Sequence, residues 1–175
     1  MIIISIVSLL ISLLLQGLMS NFLGYTISNL SIFTTMYVLV NLVVLQSYFE
    51  DDRKFLILVI VFGLLVDVTY SNTGIMAACL FMLIFYFNKL LSFFIPYNAV
   101  TINLFSVLSV FLYNIVTFLL LLVLKFDSFD ILVLFKVLCC NILMTVIYTN
   151  IIYHSISWLY KKFNLKIVRN SLKFR

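Results

Sequence analysis

The chain has 175 residues, of which 65% are hydrophobic and 10% charged, with a formal net charge of +5. Soluble domains carry roughly 45–50% apolar and about 25% charged residues, so this composition excludes an ordinary soluble protein and points to a bilayer as solvent. At ~20 residues per helical span there is room for about five to seven spans and none for a separate soluble domain.

Six apolar runs, at 2–20, 30–48, 55–70, 74–94, 100–124 and 132–158, predict an all-α polytopic membrane protein. They would form a single compact six-helix transmembrane bundle over 1–158, with a basic cytoplasmic tail at 159–175. The first run has no Lys or Arg ahead of it and no small-residue cleavage site, so it is expected to stay as a span. Along it Ser5, Ser8, Ser12, Gln16 and Ser20 step by three or four residues and share one helix face. Such a weakly polar face serves either packing inside the bundle or docking to another membrane protein. The second run repeats the pattern with Thr34, Tyr37 and Asn41. After it, Glu50, Asp51 and Asp52 sit beside Arg53 and Lys54, a short solvated loop with its own counter-charges, although an acidic triplet also suits a basic partner or a divalent ion.

The third run ends in Asp67, the only acid at depth, followed by a break at Ser71, Asn72, Thr73 and Gly74. A charge there costs about 2.5–3.5 kcal/mol on insertion scales and faces the bundle interior or a wet cavity. Two roles are open to it: capping the turn, with the Thr69 and Thr73 hydroxyls as partners, or anchoring a partner's segment or shaping an outward pocket. Asn72 or Thr73 is the expected N-cap of the fourth helix. Pro96 forbids continued helix after the fourth run. The fifth run carries Asn103, Ser106, Tyr113 and Thr117, which suggest a somewhat polar interior. Cys79, Cys139 and Cys140 lie inside apolar runs and read as ordinary buried thiols.

Orientation follows from the basic residues. With six spans and a cytoplasmic N-terminus, Arg53, Lys54, Lys89, Lys161, Lys162, Lys166, Arg169, Lys173 and Arg175 fall inside and Lys125 outside, with Lys136 unassigned. The basic excess is therefore a topology signal, not a nucleic-acid site. In the tail, Leu159, Phe163, Ile167 and Leu172 alternate with six of these basic residues, as in a segment lying on anionic lipid headgroups. Tyr25, Tyr48, Tyr70, Tyr97, Trp158 and Tyr160 fall where an aromatic belt would sit. No internal repeat is visible, which leaves an inverted-repeat transporter unsupported. Intramembrane catalysis is poorly supported as well. There is no second acid at depth, the single His154 sits close to the cytoplasmic end, and no HExxH pair occurs.

The stretch VFGLLVDVTYSNTGIMAACLFMLIFYFNKLL, positions 61–91, resembles the signature of the rod shape-determining MreD family. That signature is a helix ending in Gly-Leu-Leu-x-Asp, a short polar turn, and a helix ending in an aromatic and a basic residue. Gly63, Leu64, Leu65, Asp67, Gly74, Tyr86 and Lys89 occupy matching positions, while Thr73 stands where the family often has Leu before the glycine. The family's length, five or six spans and basic C-terminus are similar too. The resemblance implies a non-enzymatic scaffold of the bacterial cell-wall elongation complex in the inner membrane, with no cofactor. Its direct partner would be MreC, and through MreC it would meet MreB, RodA and the elongation transpeptidase. The family is also similar in fold to the S components of energy-coupling-factor vitamin transporters, which supplies the alternative of a substrate-capturing component.

Overall fold

The computed structural model describes residues 2–26, 36–49, 51–71, 75–123 and 131–163, and six α-helices account for most of them. They are α1 (Ile2–Thr26), α2 (Tyr37–Gln46), α3 (Asp52–Val66), α4 (Met76–Ser92), α5 (Ala99–Val123) and α6 (Ile131–Lys162), with a π turn (Asp67–Ser71) continuing α3. By length and composition Ile2–Met19, Ala99–Leu120 and Asn141–Lys162 are long and apolar enough to cross a membrane, while α2 and α4 are shorter apolar helices.

Local chemistry sets several of the ends. Asp51 is the N-cap of α3 and its carboxylate accepts the Arg53 N–H at 3.1 Å. Its carboxyl is held below the usual aspartate range. Desolvation pushes upward, and hydrogen bonds from Lys54 and from the Arg53 and Lys54 backbone outweigh it. At α5 the Thr101 hydroxyl accepts the Asn98 N–H at 2.6 Å, the reach-back half of a capping box. α4 stops at Ser92, short of the expected residue 94, because Phe93, Phe94 and Ile95 turn back onto the Leu90 and Leu91 carbonyls ahead of Pro96. α6 runs on to Lys162, so Lys161 and Lys162 belong to the last helix and not to a tail beginning at 159.

α2 is the axis of the bundle. All nine residues from Tyr37 to Leu45 are buried, and α1, α3, α4, α5 and α6 each pack against it. A helix that is apolar all round finds its place in such a core. α3 and α4 form one tight hairpin and α5 and α6 another. Tyr48 meets Tyr160 with ring centroids 4.8 Å apart, and Ser5 lies at the Tyr160 hydroxyl. The start of α1 and the end of α6 therefore share one end of the bundle with Asp51, Asp52, Arg53, Lys54 and Lys89.

The polarity of the bundle is inverted relative to a soluble protein. Ile3, Leu14, Val68, Leu90 and Phe94 are exposed on the outside, while Ser5, Ser12, Gln16, Asn41, Asp67, Asn88 and Thr149 are buried. An apolar exterior of this extent is at ease in hydrocarbon and not in water. Two expectations fail here in part: of the belt residues Tyr70 and Trp158 are exposed, and the side chains of Tyr25 and Cys140 lie outside those described. Tyr48, Tyr97 and Tyr160 are buried in the bundle and form no belt, because aromatic pairing draws the first and last together and sets Tyr97 edge-on to Phe105. Cys79 and Cys139 are exposed on the outer faces of α4 and α6 and are free, not buried, since both fall on helix sides turned away from neighbouring helices.

Candidate functional site: the junction of the third and fourth helices

Gly63 and Asp67 are four residues apart on α3 and so lie one turn apart on the same face. That face meets the first turn of α4. A Cβ on Gly63 would stand 2.6 Å from the Ala78 Cα, so only glycine lets the two backbones come this close. One turn further on, the Asp67 carboxylate accepts the Ala77 N–H at 2.8 Å and the Ala78 N–H at 3.2 Å. Both donors belong to the first turn of α4, and its own N-cap, Ile75, cannot satisfy them for lack of a polar side chain. Asp67 is fully buried and thus serves as a cap delivered from another helix, where an anion also complements the helix dipole.

The π turn that begins at Asp67 re-aims the side chains of its last residues. Tyr70 swings to α1, donating its hydroxyl to the Leu13 carbonyl at 2.6 Å and receiving the Gly17 N–H. On the opposite side, Tyr113 of α5 stands within electrostatic reach of the Asp67 carboxylate. The junction thus touches α1, α4 and α5. At the far end of the same hairpin Lys89 binds Asp52 at 2.6 Å.

The sequence-derived candidates divide accordingly. Gly63 and Asp67 turn inward, Leu64 and Leu65 turn out to the apolar surface, and Gly74 lies outside the described residues. Thr69 does not serve Asp67. Its hydroxyl folds back to the Leu65 carbonyl at 2.7 Å. Asn72 and Thr73, the expected N-caps, lie outside the described residues, and α4 begins only after Ile75.

The weakly polar stripe of α1 faces inward. Asn41 of α2 donates to both Ser8 Oγ and Ser12 Oγ at 2.6 Å, and Tyr148 of α6 donates to Ser12 Oγ at 2.8 Å. Gln16 accepts the Val38 N–H at 3.3 Å. Ser20 lies in α1, outside the residues whose side chains are described. Of the basic residues, Lys161 and Lys162 are exposed at the end of α6, with Lys162 over the Trp158 ring. Lys166, Arg169, Lys173 and Arg175 are outside the described residues. In the acidic loop, Asp51 pairs with Lys54 at 3.3 Å and Asp52 with Lys89, while Glu50 is outside the described residues.

Sequence reasoning passed over Asn114, Asn141, Thr145 and Thr149, all buried along the α5–α6 seam. The four-residue spacing of the last three was the signal that could have found them. Among the described residues no cluster of three metal-ligating side chains occurs.

An all-helical bundle with an apolar exterior and a motif that locks a helix hairpin is the class these observations define. No family model matches the chain, and neither a curated protein nor a solved structure is significantly similar to it.

Proposed function

We propose that the chain is a non-enzymatic integral membrane scaffold of the bacterial cell-wall elongation complex, related to MreD and holding MreC in the inner membrane. The observation that carries this reading is that the MreD-like signature describes one mechanical unit. Gly63 sets the close approach of α3 and α4, Asp67 caps α4, and Lys89 ties the hairpin's other end to Asp52. A motif spent on fixing a hairpin, with apolar surface outside it, suits a protein whose work is to present a helix face. The gathering of the described basic residues at the end shared by the start of α1 and the end of α6 supports both termini being cytoplasmic.

Mild-detergent co-purification of the tagged chain from its own host, with mass spectrometry, tests the reading. Recovery of MreC with wall-synthesis proteins is the expected result. Recovery of a transporter subunit with paired ATPases would replace it with the vitamin-capturing alternative. The cavity between α2, α3 and α4, about 10 Å³, is too small for a vitamin, so a ligand in that alternative would have to sit elsewhere. In the scaffold reading, Asp67→Ala lowers recovery of MreC more than it lowers the amount of protein in the membrane. Undiminished recovery of MreC with that variant would count against the junction's role.

A further inference from the structure

Amides mark two levels of the seam between α5 and α6. Near the charged end the two amides pair, with Asn103 Nδ2 donating to Asn150 Oδ1 at 3.0 Å, while Asn103 Oδ1 stays buried without a partner. Farther along, beside Tyr113 and so at the level of the Asp67 junction, no such amide pair forms. Asn114 is 1% exposed, and neither its Nδ2 nor its Oδ1 has a hydrogen-bond partner. Across the seam Asn141, 6% exposed, leaves its Nδ2 unpaired. Both line one cavity of about 10 Å³, where Thr145 has already committed its hydroxyl proton to the Asn141 carbonyl at 2.6 Å. Phe111 and Ile142, also lining it, are 39% and 43% exposed on the outside of the bundle, so its rim faces lipid.

Unpaired amide groups are costly in hydrocarbon, where acyl chains supply neither donors nor acceptors. The group that answers these atoms must both donate and accept. It must also be water-sized, since a cavity of this volume holds about one such sphere. A hydroxyl fits both requirements, and a carboxamide tip, with three heavy atoms, does not. We infer that the α5–α6 cleft seats the hydroxyl of a serine or threonine on a partner's transmembrane helix. The hydroxyl accepts from the Asn114 and Asn141 N–H groups and donates to Asn114 Oδ1, while Phe111 and Ile142 pack against the partner's apolar flanks. The inference deepens the scaffold reading by naming the partner-binding surface, and rests on that reading for there being a partner helix at all.

The test places a photo-crosslinking amino acid at Ile142 of the full chain in its host membrane, with Ile57 of α3 as the control position. The expected adduct maps to a transmembrane segment of another protein, beside a Ser or Thr, and is absent at Ile57. The double substitution Asn114→Leu with Asn141→Leu should reduce recovery of that protein at least tenfold while the isolated chain melts no lower, since it removes orphan amides. Ile142→Trp, which crowds the rim from the lipid side and leaves both amides in place, should reduce recovery similarly and guards against misfolding of the double variant. Adducts only to lipid or to a second copy, or partner recovery unchanged in both variants, overturn the inference; a single trapped water is then the occupant. If wall-synthesis proteins still co-purify with both variants, the scaffold reading survives and this surface does not. If the adduct is a transporter subunit, the surface survives and the scaffold reading does not.

Discussion

Asp67 satisfies two N–H groups of a helix to which it does not belong, and its removal strands both in a buried setting. Asp67→Ala should therefore lower stability by about 2–3 kcal/mol. Asp67→Asn, which keeps an acceptor oxygen but loses the charge, should lose about half as much; thermal melts in one detergent would rank the two. Gly63→Ala should cost about 1–3 kcal/mol by forcing the α3 and α4 backbones apart. Adding Ala78→Gly should not rescue it, because the nearest atom is the Ala78 Cα, which that change leaves in place. Gly17 makes the contrast. A Cβ there would meet the ring tip of Tyr70, which can swing away, so Gly17→Ala should cost the two hydrogen bonds of that hydroxyl, about 1–2 kcal/mol. Asp67 stood out in the sequence as an acid in an apolar run, but its partners did not. The donors lie ten and eleven residues away and are backbone groups of alanines, which no side-chain pattern announces.

The α3–α4 hairpin is pinned at both ends, and the two pins are unequal. The Lys89–Asp52 pair is partly exposed, with side chains 37% and 57% accessible, so Lys89→Ala should change stability by about 0–1 kcal/mol, well below the effect of Asp67→Ala in the same assay. Asp51 adds a pH dependence at the start of α3. Its folded pKa lies below the unfolded value, so the cap's contribution is complete above the ordinary aspartate range and is lost as pH falls through the depressed value. Hydrogen exchange in the first turn of α3 should accordingly quicken only in the acid range and stay flat near neutrality, apart from the intrinsic rate. Hydropathy located all six helices. The π turn escaped it, because hydrophobic patterning cannot distinguish an i→i+5 hydrogen bond from an i→i+4 one. The true end of α6 escaped it as well, because Tyr160, a polar-looking terminus in the sequence, is held in the core by Tyr48.

At the scale of the molecule, composition sufficed to assign the class: the bundle is apolar outside and hydrogen-bonded within. Which helix would be central was not legible, since α2 differs little in hydropathy from its neighbours and its burial depends on how five other elements close around it. That enclosure has a consequence for biogenesis. α2 leaves the ribosome long before α6, and although Asn41 can pair at once with Ser8 and Ser12 of α1, Tyr37 gains its ring partner only when Tyr148 arrives from the last helix. During synthesis the bundle is therefore an open shell whose central helix is provisionally solvated by lipid, and closure is a late, post-insertional event. A chain stopped after Val123 should insert its first helices and then be cleared rapidly by membrane quality control, whereas Tyr148→Phe should close normally and lose only one hydrogen bond. Pulse-chase half-lives of the two would show whether the last helix acts as the keystone of the assembly.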